Sequence, residues 1–113
     1  MCSLYAEKPG QAFIISTEAD VRASSLTIRW TAPADDGGSP ITAYRLVVLK
    51  DYTEIIRINI TGLPKTNHTF TGLERETNYT VKVFARNYVF EGDAAVKTLK
   101  TKFEGEEFLF HNT

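Results

Sequence analysis

Apolar and polar side chains alternate along most of this chain at the spacing of a strand that buries one face, and no stretch keeps the spacing of an amphipathic helix. Leu26, Ile28 and Trp30 fall on one side of a first clear run, with Thr27 and Arg29 on the other. Tyr79, Val81, Val83 and Ala85 repeat the pattern against Lys82 and Arg86. Phe84 then lands on the outward side, either packed beside a neighbouring strand or part of a contact surface. Tyr44, Leu46 and Val48 alternate with Arg45 and Val47, and an isoleucine-rich run from Glu54 to Thr61 alternates again. Shorter runs at Ala12–Thr17, His68–Thr71 and Asp93–Lys102 bring the predicted strands to seven. Turn-forming residues separate them at Pro33–Pro40, Gly62–Lys65, Gly72–Glu76 and Gly92–Asp93. Asp51–Glu54 is short enough for a tight turn after the third strand, and the pattern leaves open whether the fourth strand pairs with the third or changes sheets. The fold class implied is all-β, a seven-stranded antiparallel β-sandwich.

Composition narrows the function more than the fold. A chain of 113 residues has room for one core. Thirteen Lys and Arg balance fourteen Asp and Glu, for a net charge of -1. No broad positive field is therefore available, and neither nucleic acid nor direct membrane contact is expected. No run approaches the roughly 20 apolar residues of a membrane span. The first residues lack the apolar stretch of a leader, so targeting information is expected outside this fragment. The single cysteine, Cys2, has no partner for an internal disulfide, so packing must supply the stability.

Particular residues carry a more specific likeness: Pro9, Trp30, Pro33, the segment from Asp35 to Leu46, Leu73, and the run from Thr77 to Asn87. Through them the chain resembles a fibronectin type III domain over residues 9–103, with an N-terminal linker at 1–8 and a linker or tail at 104–113. Trp30 is large enough to fill much of the gap of about 10 Å between two packed sheets. Immunoglobulin domains place their tryptophan one strand later, against a cystine that this chain cannot form. Tyr79 stands where a tyrosine corner would set its hydroxyl against an upstream backbone group. Trp30, Tyr44, Leu73 and Tyr79 are thus the expected structural core.

The resemblance extends to modules of neural cell-adhesion molecules and axon-guidance receptors, which implies a non-catalytic protein-interaction and spacer role in a larger cell-surface protein. The Asp-Gly-Gly-Ser-Pro-Ile segment is also similar to those of giant muscle proteins, which implies the alternative of an intracellular structural module. The Arg-Gly-Asp tripeptide is absent, so integrin binding has no support.

One loop departs from the family pattern. After Asn87 the family usually carries small residues, whereas here Tyr88-Val89-Phe90-Glu91-Gly92 follows. Tyr88, Val89, Phe90 and Glu91 are therefore the candidate protein-binding residues, beside the loop from Asp35 to Pro40. The competing reading folds Tyr88 and Phe90 back over the end of the sandwich or against Phe103, Phe108 or Phe110.

Three of the five asparagines, Asn59, Asn67 and Asn78, begin acceptor triplets for N-glycosylation, where roughly one triplet is the chance expectation. Strand phase points all three outward, which favours an extracellular glycoprotein. A threonine-rich β-protein also generates such triplets without ever being glycosylated. Chemistry beyond contact is not expected. His68 and His111 lie far apart beside one cysteine, which gives no basis for a zinc site or a catalytic triad. Asp35-Asp36-Gly37-Gly38 lacks the alternating acidic ligands of a calcium loop and reads as a turn. No catalytic residue, metal or cofactor is expected. Protein partners are, of unspecified identity, and self-association is left open.

Overall fold

The computed structural model describes residues 7–61 and 65–103. Cys2, the Gly62–Pro64 part of one predicted turn, Phe108, Phe110 and His111 lie outside the described residues. Seven strands follow in order: β1 (Phe13–Ile14), β2 (Leu26–Thr31), β3 (Ile41–Lys50), β4 (Thr53–Ile60), β5 (Asn67–Phe70), β6 (Asn78–Asn87) and β7 (Ala95–Lys100). They form two antiparallel sheets, ordered β1-β2-β5 and β4-β3-β6-β7. The fourth strand therefore stays with the third.

The turn that joins β3 to β4 explains this choice. Asp51 and Tyr52 both adopt positive φ, 52° and 67°, as a two-residue hairpin of the twist-matched kind requires. No glycine supplies that conformation, and Tyr52 stands fully in solvent. Further along, the register slips between Val48 and Leu49, so Ile55 is the extra residue opposite them. Ile56, Ile58 and Ile60 then face the core while Ile55 points out, which accounts for two adjacent isoleucines in an alternating strand.

Boundaries shift where side chains or neighbouring segments take over from the ladder. The first strand is two residues rather than the six expected from Ala12 to Thr17, because the Ser16 hydroxyl, accepting the Arg29 amide and donating to the Thr27 carbonyl, takes over from the ladder ahead of a 3-10 turn at Glu18–Asp20. Thr17 caps that turn through its hydroxyl, and Asp20 answers on the Thr17 amide. The last strand stops at Lys100 rather than Lys102, since the amides of Thr101 and Lys102 turn inward to the carbonyls of Thr77 and Arg22.

The core lies between the sheets. Leu26, Ile28 and Trp30 meet Tyr44, Leu46, Val48, Tyr79, Val81 and Val83, all essentially without solvent exposure. The ring of Tyr44 meets Trp30 edge-on, with centroids 5.3 Å apart. The Trp30 indole N–H has no acceptor within hydrogen-bond geometry. Burial raises the Tyr44 phenol above its ordinary pKa, and the nearby indole opposes that in part. Tyr79 forms the expected corner, its hydroxyl accepting the Glu74 amide at 2.8 Å. Thr101 completes that end, accepting from the Thr77 amide and donating to the Glu74 carbonyl. Leu73 is buried beside it and bonds through its amide to Ser24.

Candidate functional site

The end of β6 pairs with the start of β3, Asn87 opposite Ile41, so the β6–β7 loop and the β2–β3 loop emerge at the same end of the sandwich. The β3–β4 turn lies at the other end. At the shared end Asn87 is buried, unlike the residues that follow it. Its Oδ1 accepts the amides of Val89 and Phe90 at 2.9 and 2.7 Å. Its backbone N–H donates to the Phe90 carbonyl, closing the turn. Asparagine suits this position because its short side chain reproduces a backbone turn.

That turn holds Tyr88, Val89 and Phe90 outward, with exposures of 86%, 58% and 46%. Among the described residues nothing buries them, and Phe103 is itself exposed; Phe108 and Phe110, the other contacts of the competing reading, lie outside the described residues. Glu91 behaves differently from its three neighbours. Its carboxylate takes two hydrogen bonds from the Arg45 guanidinium, at 2.8 and 2.6 Å, and Arg86 approaches to 3.8 Å. Those hydrogen bonds hold Glu91 below the usual carboxylate range. Glu91 therefore ties the loop to the sheet.

Arg45 reaches the loop from the outer face of β3, and its guanidinium also lies 4.3 Å from the Phe84 ring centroid. Phe84 is half-buried under this stack, so its outward position is occupied by the protein itself. Val47 is buried although it too points outward. Its register neighbours are Arg57 and Lys82, whose long stems are of the kind that cover apolar surface.

The β2–β3 loop is equally ordered. Asp35 and Asp36 each accept an amide two residues ahead, from Gly37 and Gly38, at 2.9 Å. These are the turn contacts expected for that motif, and His, Cys, Asp and Glu form no metal-binding group among the described residues. Gly37 has φ +80°, and a Cβ there would lie 2.1 Å from the Glu7 carbonyl oxygen. Glu7 and Lys8, which the sequence reading places in a linker, are bonded to these loops: the Glu7 amide to Gly37, and Lys8 to Asp93 at 2.9 Å.

Asn59, Asn67 and Asn78 are all exposed. Asn59 and Asn78 project from the four-stranded sheet, and Asn67 from the outer face of the three-stranded one. His68 lies half-buried in β5, edge-on to Phe70, and burial lowers its pKa. Sequence reading identified the exposed aromatics but missed the roles of Arg45 and Glu7. Only long-range pairing brings Arg45 to Glu91, and no local pattern encodes it.

A two-sheet scaffold with an ordered aromatic loop defines a β-sandwich module. Comparison with known families and structures makes the class specific. Residues 13–101 match the fibronectin type III domain, and the chain belongs to that family. Titin of Drosophila melanogaster is 32% identical over 95 residues, covering 80% of this chain. The titin homolog of Caenorhabditis elegans is 31% identical over 88 residues, covering 75%. The chain spans a negligible share of either relative, 0% when rounded. Among solved structures, the rat CD45 extracellular region, domains d3–d4, superposes with a TM-score of 0.73 at 21% identity, covering 85% of this chain and 51% of that one. Titin kinase with its flanking domains gives 0.68 at 24% identity, covering 95% and 19%. At those identities the two structures speak for the fold alone.

Proposed function

We propose that this domain is a non-catalytic contact and spacer module of a larger cell-surface adhesion or receptor protein, and that Tyr88, Val89 and Phe90 are its partner-binding residues. The observation that carries this reading is the exposure of three consecutive apolar side chains on a loop fixed from both sides, by Asn87 and by Glu91. A preordered aromatic tip binds at low entropic cost, because its backbone is already fixed. Exposed Tyr and Phe are also among the side chains that anchor protein interfaces.

Support for a cell-surface setting comes from the three exposed acceptor asparagines and from the resemblance to adhesion modules. A second reading, an intracellular structural module, is favoured by the titin relatives. Production in a secretory host followed by glycosidase treatment separates them. A mass shift at Asn59, Asn67 or Asn78 is expected for the cell-surface reading, and no shift at any of the three removes its main support. The contact role is tested by immobilising the domain and capturing proteins from a cell-surface fraction. Partners held by the wild type should be lost by a Tyr88→Ala/Phe90→Ala variant, and retention of the same partners would sink the assignment.

A further inference from the structure

The carboxamide of Asn87 has more partners than holding a loop requires. Besides accepting from Val89 and Phe90, its Nδ2 donates to the Glu7 carbonyl at 2.7 Å and to the Asp36 carbonyl at 3.0 Å. Both protons and the oxygen are therefore engaged, with an N-terminal segment, the β2–β3 loop and the aromatic tip. The group is buried, so water does not readily replace a lost partner.

The N-terminal segment is seated in a slot with no room to spare. A Cβ on Gly37 would meet the Glu7 carbonyl oxygen at 2.1 Å and Asn87 Nδ2 at 2.9 Å. A Cβ on Gly92 would meet the Pro9 carbonyl oxygen at 2.3 Å. Glu7 to Gly10 thus passes between two glycines, held by the Glu7 amide on Gly37, the Gly10 amide on Asp35, and the Lys8–Asp93 pair. Gly92 closes the aromatic loop, with its own amide on Ala85. The chain that enters the domain and the loop that carries the exposed aromatics share one wall.

We propose that Asn87 is the positioning residue of the aromatic loop and that it couples the order of Tyr88–Phe90 to the seating of Glu7–Gly10. When Glu7 leaves its slot, Nδ2 keeps only the Asp36 carbonyl as acceptor, the hold on the carboxamide weakens, and Oδ1 releases the Val89 and Phe90 amides more readily. Displacement of the entering chain would then loosen the contact loop without unfolding the sandwich, because β6 ends at Asn87 and the core strands are untouched. This rests on the reading of Tyr88–Phe90 as the contact site. Its test requires no partner, so the two can fail separately.

The test is amide hydrogen exchange of Val89 and Phe90, read by NMR against the core amide of Val83. Gly37→Ala places a methyl where the Glu7 carbonyl sits. Gly72→Ala is the control for backbone strain, since Gly72 has φ +70° and nothing within 4 Å of a new Cβ. Loss of one hydrogen bond corresponds to about a fivefold change in an opening equilibrium. Exchange at Val89 and Phe90 relative to Val83 is therefore expected to rise about fivefold or more in Gly37→Ala and to stay at the wild-type level in Gly72→Ala. Unchanged exchange in Gly37→Ala, or an equal rise in both variants, overturns the coupling. Because the new methyl also lies 2.9 Å from Asn87 Nδ2, removal of residues 1–7, which withdraws the carbonyl without touching Asn87, is run beside it. The same rise at Val89 and Phe90 is expected, and unchanged exchange in the truncated protein overturns the coupling. Asn87→Asp adds a signature that mere packing would not give. The carboxylate keeps an acceptor for Val89 and Phe90 but repels the two carbonyls, so their amides should remain protected while the Glu7 and Gly10 amides exchange faster.

Discussion

Replacing Tyr79 with Phe removes one oxygen from the corner and leaves the ring in place. That oxygen accepts the Glu74 amide at 2.8 Å, across the turn that leads into β6. A neutral hydrogen bond contributes about 0.5–1.5 kcal/mol net, and a stranded buried donor costs about 1–3 kcal/mol. Glu74 is exposed, so water can reach its amide after the change and the lower end applies. The expected loss is about 1 kcal/mol, or roughly 4–8 °C in Tm for a domain of this size. Trp30 is the only tryptophan, so its fluorescence reports unfolding in urea without an added label. The midpoint should fall while the denaturant slope stays constant, because the buried surface does not change. Thr101→Val supplies a second corner of a cycle, since the Thr101 hydroxyl donates to the carbonyl of the same Glu74. The two changes should couple by about 0.5 kcal/mol or more. A Tyr79→Phe variant as stable as wild type would refute the reasoning that the corner hydroxyl, and not only the ring, fixes this end of the sandwich.

Other substitutions probe the loop anchor and the hairpin. Arg45 depresses the Glu91 pKa in the folded state, so the pair contributes above the unfolded carboxylate value of about 4.3 and is lost as pH falls through the folded value. Glu91→Gln should cost about 1 kcal/mol at neutral pH, with the gap to wild type closing in urea titrations as pH falls below the unfolded carboxylate value and through the lower folded one. A gap that persists in acid would assign the loss to packing instead. Tyr52→Gly relieves a positive φ on a fully exposed side chain, and should stabilise the domain by about 0.5–1 kcal/mol in thermal unfolding. A lower Tm would mean that the Tyr52 ring makes a contact that offsets its backbone strain.

Much of the scaffold was legible because strand phase is local. Tyr79, Val81, Val83 and Ala85 all turned inward as alternation requires, and the Tyr79 hydroxyl found its upstream backbone partner. Sheet assignment of β4 was not legible, because Asp51-Tyr52 lacks the glycine that usually announces a two-residue hairpin turn. Val47 and Phe84 show why outward phase does not mean exposure, since both sit beside long basic side chains on neighbouring strands. At the candidate site, the aromatic tip was visible as a departure from small residues. The role of Glu91 was not, because its partner lies 46 residues away on another strand. Nor was the seating of Glu7, which depends on a Cβ missing from Gly37 and on an asparagine 80 residues later.

The separation of scaffold from contact surface comes down to whether Tyr88 and Phe90 belong to the core. At 86% exposure Tyr88 loses little burial on truncation to Ala, and at 46% Phe90 loses about half a ring's. The unfolding free energy of a Tyr88→Ala/Phe90→Ala variant, from urea titration of Trp30 fluorescence, should fall below wild type by about 1 kcal/mol or less, the worth of one half-covered ring. A loss of about 2 kcal/mol or more, the scale of truncating a buried aromatic, would place the two rings in the core and contradict the assignment of this loop to partner contact.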